Sequence, residues 1–438
     1  MLEKLFELKE RKSSVAREFK GALCTFLTMS YILFANPAIL SAAGMPFAAT
    51  AAATALAAGV CCILMGLFTN FPLALASGMG LNSVVAFQLT EATGSWQTAM
   101  GLVFWDGVAV TLLVVSGFRE AVLQAIPRDL KLAIGAGIGL FIALIGLVAS
   151  KLVVVPAGTL SVLLKNPEAA LPPVTFGSYH SAPVLVTVVG LLITIVLMIR
   201  KVPAAILIGI ISSSLLALIL KIPTASSALA WPDWSTLFRA DISGAMKLSL
   251  LPLLLPLILV DFFDTLGTVT AISEQSGIHD TKGKIPRLRR ILLLDGLSAS
   301  IGGLLGASSV TAYIESAAGV AEGARTGLHS VFVGLFFLLA IVAAPLAGFV
   351  PACATAPALI LVGFLMAAQL KEINFQDYHV GIPAFLTLVT IPLTYSIAHG
   401  IGNGIICYVF LHLVTGEPKK IHPFLGFCAL LFLAYFIL

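Results

Sequence analysis

The sequence predicts an all-α polytopic membrane protein of fourteen transmembrane segments, built as two inverted halves of seven, and three observations carry that prediction. Of the 438 residues, 59% are hydrophobic and 11% charged, with a mean hydropathy of +1.05, whereas soluble domains run at about 45–50% apolar and 25% charged. Apolar stretches alternate with polar breaks along the whole chain, most of them long enough to cross a bilayer as helices. Two stretches at matching positions in the two halves are interrupted by proline, glycine or a β-favouring run, the pattern of a carrier whose site lies between inverted repeats.

In chain order, a polar leader comes first, residues 1–16, and Met1 to Lys20 holds six basic residues. No cleavable signal pattern precedes the first apolar stretch, so the leader is expected to stay in the cytoplasm and the first span to anchor itself. Spans are expected at 17–41, 47–68, 72–91, 97–116, 131–153, 182–200, 203–221, 247–271, 288–305, 308–321, 327–349, 352–370, 381–396 and 398–415. The piece 423–438 follows Lys419 and Lys420 and is short for a span, which makes it an interfacial C-terminal helix. With both termini inside, 20 of the 25 Lys and Arg fall on cytoplasmic segments; Lys151, Lys165, Lys221, Arg239 and Lys247 fall outside. A missed or extra span would scramble this bias. The six cysteines all lie in apolar stretches and read as small core residues, with neither a disulfide nor a metal site expected.

The third segment opens Pro-Leu-Ala-Leu-Ala-Ser-Gly-Met-Gly-Leu-Asn from Pro72 to Asn82, which predicts an extended piece leading into a half-helix. The tenth, 308–321, starts with the β-favouring Ser309-Val310-Thr311 and is too short for an unbroken span. Seven spans per half, an odd number, turn the halves over with respect to each other. Two half-helix N-termini then meet near the midplane, where unpaired N–H groups can hold a polar ligand. Ser77 to Ser83 and Val310 to Ser316 should bound that cavity, since irregular backbone at membrane depth must line a cavity or be buried in protein.

Five acids fall within spans: Asp106, Asp261, Asp264, Asp295 and Glu315, with no Lys or Arg centrally placed to neutralise them. Intramembrane acids default to function, and a low-dielectric setting favours their protonated form, as a proton-coupled carrier needs. Asp264 and Thr268 are four apart and share a helix face, expected to look into the cavity. Asp106 and Asp295 stand alone among apolar neighbours and read as structural polar groups.

The stretches Phe26-Leu-Thr-Met-Ser-Tyr31, Gly78-Met-Gly-Leu-Asn82, Val260-Asp-Phe-Phe-Asp-Thr-Leu-Gly-Thr268, Ser309-Val-Thr-Ala-Tyr-Ile-Glu-Ser-Ala-Ala-Gly319 and Gly323-Ala-Arg-Thr-Gly327 resemble the nucleobase-cation symporters of the xanthine/uracil permease superfamily. The branch they resemble is that of the AzgA-like purine permeases for adenine, guanine and hypoxanthine, over about residues 10 to 415. The resemblance implies the uracil-permease-like fold with short β-strands in segments 3 and 10. It implies a core domain of residues 17–116 and 247–349 and a gate domain of 117–221 and 352–415. It carries over Asp264, Glu315 and Asn82 as site positions; together with Ser316, Thr268, Gly78 and Thr311 from the broken segments and the shared helix face they make the expected substrate site, with Glu315, Asp264 and Asp261 expected to couple protons. Ser83-Val84-Val85 departs from the branch, which often has aromatics after the asparagine.

A flat, neutral purine with ring N–H donors suits carboxylates, an amide and backbone groups. The expected function is therefore import of a purine nucleobase by proton symport across the cell membrane, without a catalytic residue, metal or cofactor other than the proton. The partners are the base and the lipid bilayer, not nucleic acid, with a homodimer left open. An Mg-dependent prenyl-diphosphate enzyme would need a second acidic cluster and basic residues. An inorganic-anion carrier on the same fold would want a cation or neutral residues at the tenth-segment half-helix, whereas Glu315 would repel an anion. The small-residue stripe Gly135-Ala-Gly-Ile-Gly139 in the fifth span is expected to form a surface on which the core slides.

Overall fold

The computed structural model describes all residues except 1, 117–125, 157–158, 160–161, 163–165, 167–173, 203, 224–230, 248–249, 251–252, 279–284 and 438. Of residues 2, 4, 256, 262–264, 266, 267, 270, 274 and 345–348 it describes the backbone alone.

Each expected apolar segment holds at least one regular element. The first half runs through α1 (Leu2–Phe6), α2 (Val15–Met29), α3 (Ile32–Leu40), α4 (Phe47–Thr69), β1 (Leu75–Ser77), α5 (Met79–Val84), α6 (Thr90–Thr93), α7 (Trp96–Val115) and α8 (Arg128–Ala149). Then follow β2 (Val153–Val154), β3 (Thr175–Phe176), α9 (Ala182–Ile199) and α10 (Ala205–Ile219). The second half holds α11 (Leu254–Ser276), α12 (Leu288–Leu305), β4 (Val310–Ala312), α13 (Ser316–Ala321), α14 (Gly327–Ala340), α15 (Ala352–Ala367), α16 (Tyr378–Thr394), α17 (Ile397–Val414) and α18 (Pro423–Ile437). Among the described residues, eight helices are long and apolar enough to cross a membrane. Large apolar side chains such as Ile199, Val342, Phe364 and Leu393 stand exposed on the outside, where only lipid accommodates them at this density. The protein is a multi-pass integral membrane protein.

Local chemistry sets the breaks. Ser14, Ser95 and Thr326 cap α2, α7 and α14 by accepting from the N–H groups of Arg17, Thr98 and Leu328. Asn70 ends α4 in the left-handed region at φ 49°, and Pro72 then bars a return to helix. The small hairpin of β2 and β3, registered Val153↔Phe176, is a local addition that the apolar pattern does not announce.

Backbones meet where glycines align. In α4, Gly59 and Gly66 face Gly334 and Gly327 of α14, each glycine lying against the carbonyl of its opposite. The Gly135–Gly139 stripe does something other than expected. A Cβ on Gly137 would meet Ile391 Cδ1 of α16 at 2.7 Å, and one on Gly139 would meet Met366 Cβ of α15 at 2.6 Å. All of these lie in spans that the resemblance groups together as a gate, so the stripe packs α8 on α15 and α16. Ile138, between these glycines, meets the other helix set, with its Cγ2 2.9 Å from where a Cβ of Gly80 would sit.

The leader is docked. Phe6 and Leu8 are buried against Leu328, Arg11 donates to the carbonyls of Asn70 (2.8 Å) and Arg325 (3.3 Å), and Arg287 pairs with Glu7 at 2.9 Å. A cleft of about 580 Å³ lies beside it, lined by Arg11, Arg17, Ser276 and Arg325 among others, away from the paired strands.

Candidate functional site

Strands β1 and β4 pair antiparallel, with Leu75↔Ala312, Ala76↔Thr311 and Ser77↔Val310, and all six residues are buried. Gly78 N–H to Ser309 O (2.8 Å) and Tyr313 N–H to Ala74 O (3.0 Å) extend the ladder at both ends. A two-stranded ribbon leaves open edges, which a bilayer interior does not tolerate. Side chains close the edge of β1: Cys62 Sγ exchanges hydrogen bonds with the backbone of Leu75, Ser316 Oγ accepts from Ala74 N–H at 2.9 Å, and Ser330 Oγ accepts from Leu73 N–H at 2.9 Å.

From this ribbon two half-helices diverge, α5 after Gly78 and α13 after Glu315. The chain after α5 winds through a π-turn at Val85–Leu89, a form common at functional sites. The broken segments thus meet as the sequence implied. Gly78 has to be small, because a Cβ there would sit 2.6 Å from Thr311 Cγ2.

Asn82 is buried, and its side-chain oxygen accepts from Ser77 Oγ at 2.7 Å. Its amide nitrogen has no hydrogen-bond partner among the described residues, a donor a ligand can use. Ser316 is occupied by backbone, donating to Tyr313 O at 2.7 Å. Glu315 sits half-buried at the start of α13, next to Ile314, which is 50% exposed. The Tyr31 hydroxyl, at the break between α2 and α3, donates to Glu315 Oε1 at 2.7 Å.

Helix α11 reaches the ribbon through Thr265. Its hydroxyl lies 3.0 Å from that of Thr311 and donates to Asp295 Oδ2 at 2.6 Å. Thr268 and Asp261 are buried on the same helix, whereas the side chain of Asp264 lies outside the described residues. Asp295 and Asp106 do not stand alone among apolar neighbours as expected. Asp295 is bonded to Thr265, and Asp106 lies beside Asp295 where α7 crosses α12.

Tyr31, Thr265 and the contact between Asp106 and Asp295 escaped the sequence. Tyr31 carried a signal, a tyrosine in the middle of an apolar span. Phe87, five residues past Asn82, supplies an aromatic near the stretch that lacks one, its ring edge-on to Phe141 (6.0 Å) and Tyr395 (5.9 Å) across the contact between the two helix sets. Among the described residues, no group of three or more His, Cys, Asp or Glu is placed to hold a metal ion.

The arrangement, a half-buried acid and a free amide donor at a paired break, suits binding of a small polar solute within a membrane. Comparison with known proteins agrees. Residues 17–402 match the model described as the Permease family. The chain is 39% identical to the adenine permease AdeP of Escherichia coli, over 99% of this chain and 95% of that one. It is 40% identical to the guanine/hypoxanthine permease PbuG of Bacillus subtilis, over 99% and 98%. The transmembrane domain of the cyanobacterial bicarbonate transporter BicA shares the fold, with a TM-score of 0.64 at 15% identity over 90% of this chain and 96% of that one. A full-length match at this identity, on a uracil-permease-like fold, makes the chain a member of the permease family, a transporter rather than an enzyme.

Proposed function

We propose that this permease imports a purine nucleobase (adenine, hypoxanthine or guanine) by proton symport, and that it resides in the cell membrane with both termini cytoplasmic. The observation that carries the reading is the Glu315 carboxylate, held by Tyr31 beside the strand pair and only partly buried. A carboxylate facing ring N–H donors makes charge-assisted bonds, and the Asn82 amide supplies a donor for a ring acceptor. The names of the full-length relatives point to the same substrates. In this reading Gly78, Asn82, Thr311, Glu315 and Ser316 frame the base, with Asp264 and Thr268 on α11 opposite, and Glu315, Asp264 and Asp261 take part in coupling. Residues 17–116 and 247–349 form a core that moves the base past a gate of 117–221 and 352–415.

Radiolabelled adenine, hypoxanthine and guanine supplied to a permease-null host test this directly. A protonophore is expected to abolish accumulation while exchange of internal for external base persists. Uptake that tracks sodium at fixed pH and survives the protonophore would overturn the coupling.

Tyr31→Phe removes one hydrogen bond to a charged group, worth about 1.5–3 kcal/mol, so base affinity should fall roughly tenfold or more. Thermal-shift titration of the purified variant reads this. Unchanged affinity would take Tyr31 out of the site.

A further inference from the structure

Asp106 on α7 and Asp295 on α12 lie near enough in the buried interior to act on each other electrostatically, at a crossing made close by the residues that follow them. A Cβ on Gly107 would lie 2.5 Å from Gly296 O, and one on Gly296 would lie 2.8 Å from Thr111 Oγ1. Both acids are wholly buried, and neither oxygen of Asp106 has a hydrogen-bond partner among the described residues. We propose that Asp106 and Asp295 together form a second proton-binding site of the transporter, separate from Glu315, which takes up a proton when the base is bound and carries it across. This rests on the proton-symport reading above.

Two ionised carboxylates close together in a low-dielectric interior repel strongly, and a proton held between them relieves that repulsion. A hydroxyl donor already occupies one oxygen of Asp295, because Thr265 donates to Oδ2. Asp106 is then the member that carries hydrogen toward its neighbour. Among the described residues, Cys61 of α4 lies beside Asp295, and Asp261 is buried on α11, the helix that carries Thr265. Asp241 lies against Gly101 toward one end of α7, and Arg289 donates to Val115 O at the other. Among the described residues, Asp295 is the charged group that acts on Asp106.

The pair is wired to the binding ribbon by one side chain. Thr265 touches Asp295 on one side and Thr311 of β4 on the other, at 3.0 Å. A shift of β4 on base binding therefore alters the hydrogen bond that Asp295 receives, and with it the hold on the shared proton. A proton that never leaves would make the pair structural, and Asp106→Asn, which copies the protonated shape, would then be silent.

The test uses the full-length protein in liposomes with an imposed pH gradient and a purine. Wild type, Asp106→Asn, Asp295→Asn and Thr265→Val are compared for base affinity, base accumulation and protons taken up per base bound in weak buffer. The expected result is a split: accumulation falls at least tenfold and proton uptake drops in Asp106→Asn and Asp295→Asn, while base affinity changes far less. Thr265→Val should show the same split more weakly. Wild-type accumulation and proton uptake in both acid variants would overturn the proposal while leaving symport intact. Absence of proton-driven accumulation in the wild type would instead sink the symport reading itself. Loss of sodium uptake in place of proton uptake would also overturn the site as a proton site. Infrared difference spectra of wild-type protein labelled with ¹³C-aspartate need no substitution and cover the case of variants that do not fold. Base binding must change an aspartic-acid carbonyl band, and no change would overturn the proposal.

Discussion

Glu315→Gln is expected to abolish concentrative uptake of base and to weaken base binding about a hundredfold, with normal amounts of folded protein in the membrane. Glutamine keeps the shape and can still accept from the Tyr31 hydroxyl, which now donates at 2.7 Å. Its amide N–H2 would then point where, on the proposed reading, the carboxylate's second oxygen meets the N–H groups of the base. Donor faces donor, and a polar group left unpaired in a desolvated site costs about 1–3 kcal/mol, more when a charge is lost. At about 1.4 kcal/mol per factor of ten, a total near 3 kcal/mol gives the hundredfold loss. Thermal-shift titration with adenine, hypoxanthine and guanine, alongside uptake corrected for the amount in the membrane, measures both parts. Wild-type affinity in this variant would mean that the base contacts other groups and that Glu315 acts elsewhere.

The largest effect on stability is expected from Gly66→Leu. Gly66 of α4 lies against the carbonyl of Gly327 in α14, and a Cβ there would also come within 2.8 Å of Val331 Cγ2. Seven residues away, two helical turns along the same face, Gly59 and Gly334 repeat the contact, with a Cβ on Gly334 only 2.6 Å from Gly59 O. Backbone cannot yield as a flexible side chain does, so leucine must push the helices apart. That motion reaches the strand pair. Gly327 N–H donates to Asn70 Oδ1 at 2.8 Å, and Ser330 of the same helix holds both Leu73 N–H and Phe71 O at the entry to β1. Overpacking alone costs about 1–3 kcal/mol, and these lost bonds should carry the total to about 3 kcal/mol or beyond. The melting temperature in detergent and the monodisperse fraction on size-exclusion chromatography should both drop sharply. Phe68→Leu, at a side chain 59% exposed on the same helix, should change neither. A Gly66→Leu protein that melts like the wild type would show that the two helices separate without strain.

Much of this was legible in one dimension because the bilayer imposes simple demands. Pro72, Gly78 and the Val310-Thr311 pair sit in apolar runs too short or too interrupted for plain helices, and they became β1 and β4 with half-helices behind them. The shared helix face of Asp264 and Thr268 follows from spacing, yet spacing did not show that Thr265 is the residue touching β4. The Gly135–Gly139 stripe was visible as a packing surface, but its partners, Ile391 and Met366, lie more than 200 residues away and nothing local names them.

The sequence by itself determined that the chain lives in a membrane and that two of its apolar segments break where strands now pair. Those properties depend on hydropathy, on helix period and on where proline and glycine forbid a helix, all set by neighbours along the chain. Only the tertiary structure decided which side chains come together: Tyr31 bonded to Glu315, Thr265 to Thr311 and Asp295, and Asp106 brought near Asp295 where α7 crosses α12. Each of these contacts joins different segments, and which polar groups pair in a low-dielectric interior depends on how helices cross. The crossings are chosen in turn by glycines whose partners lie far off in sequence, so the pairing exists only once the helices have packed.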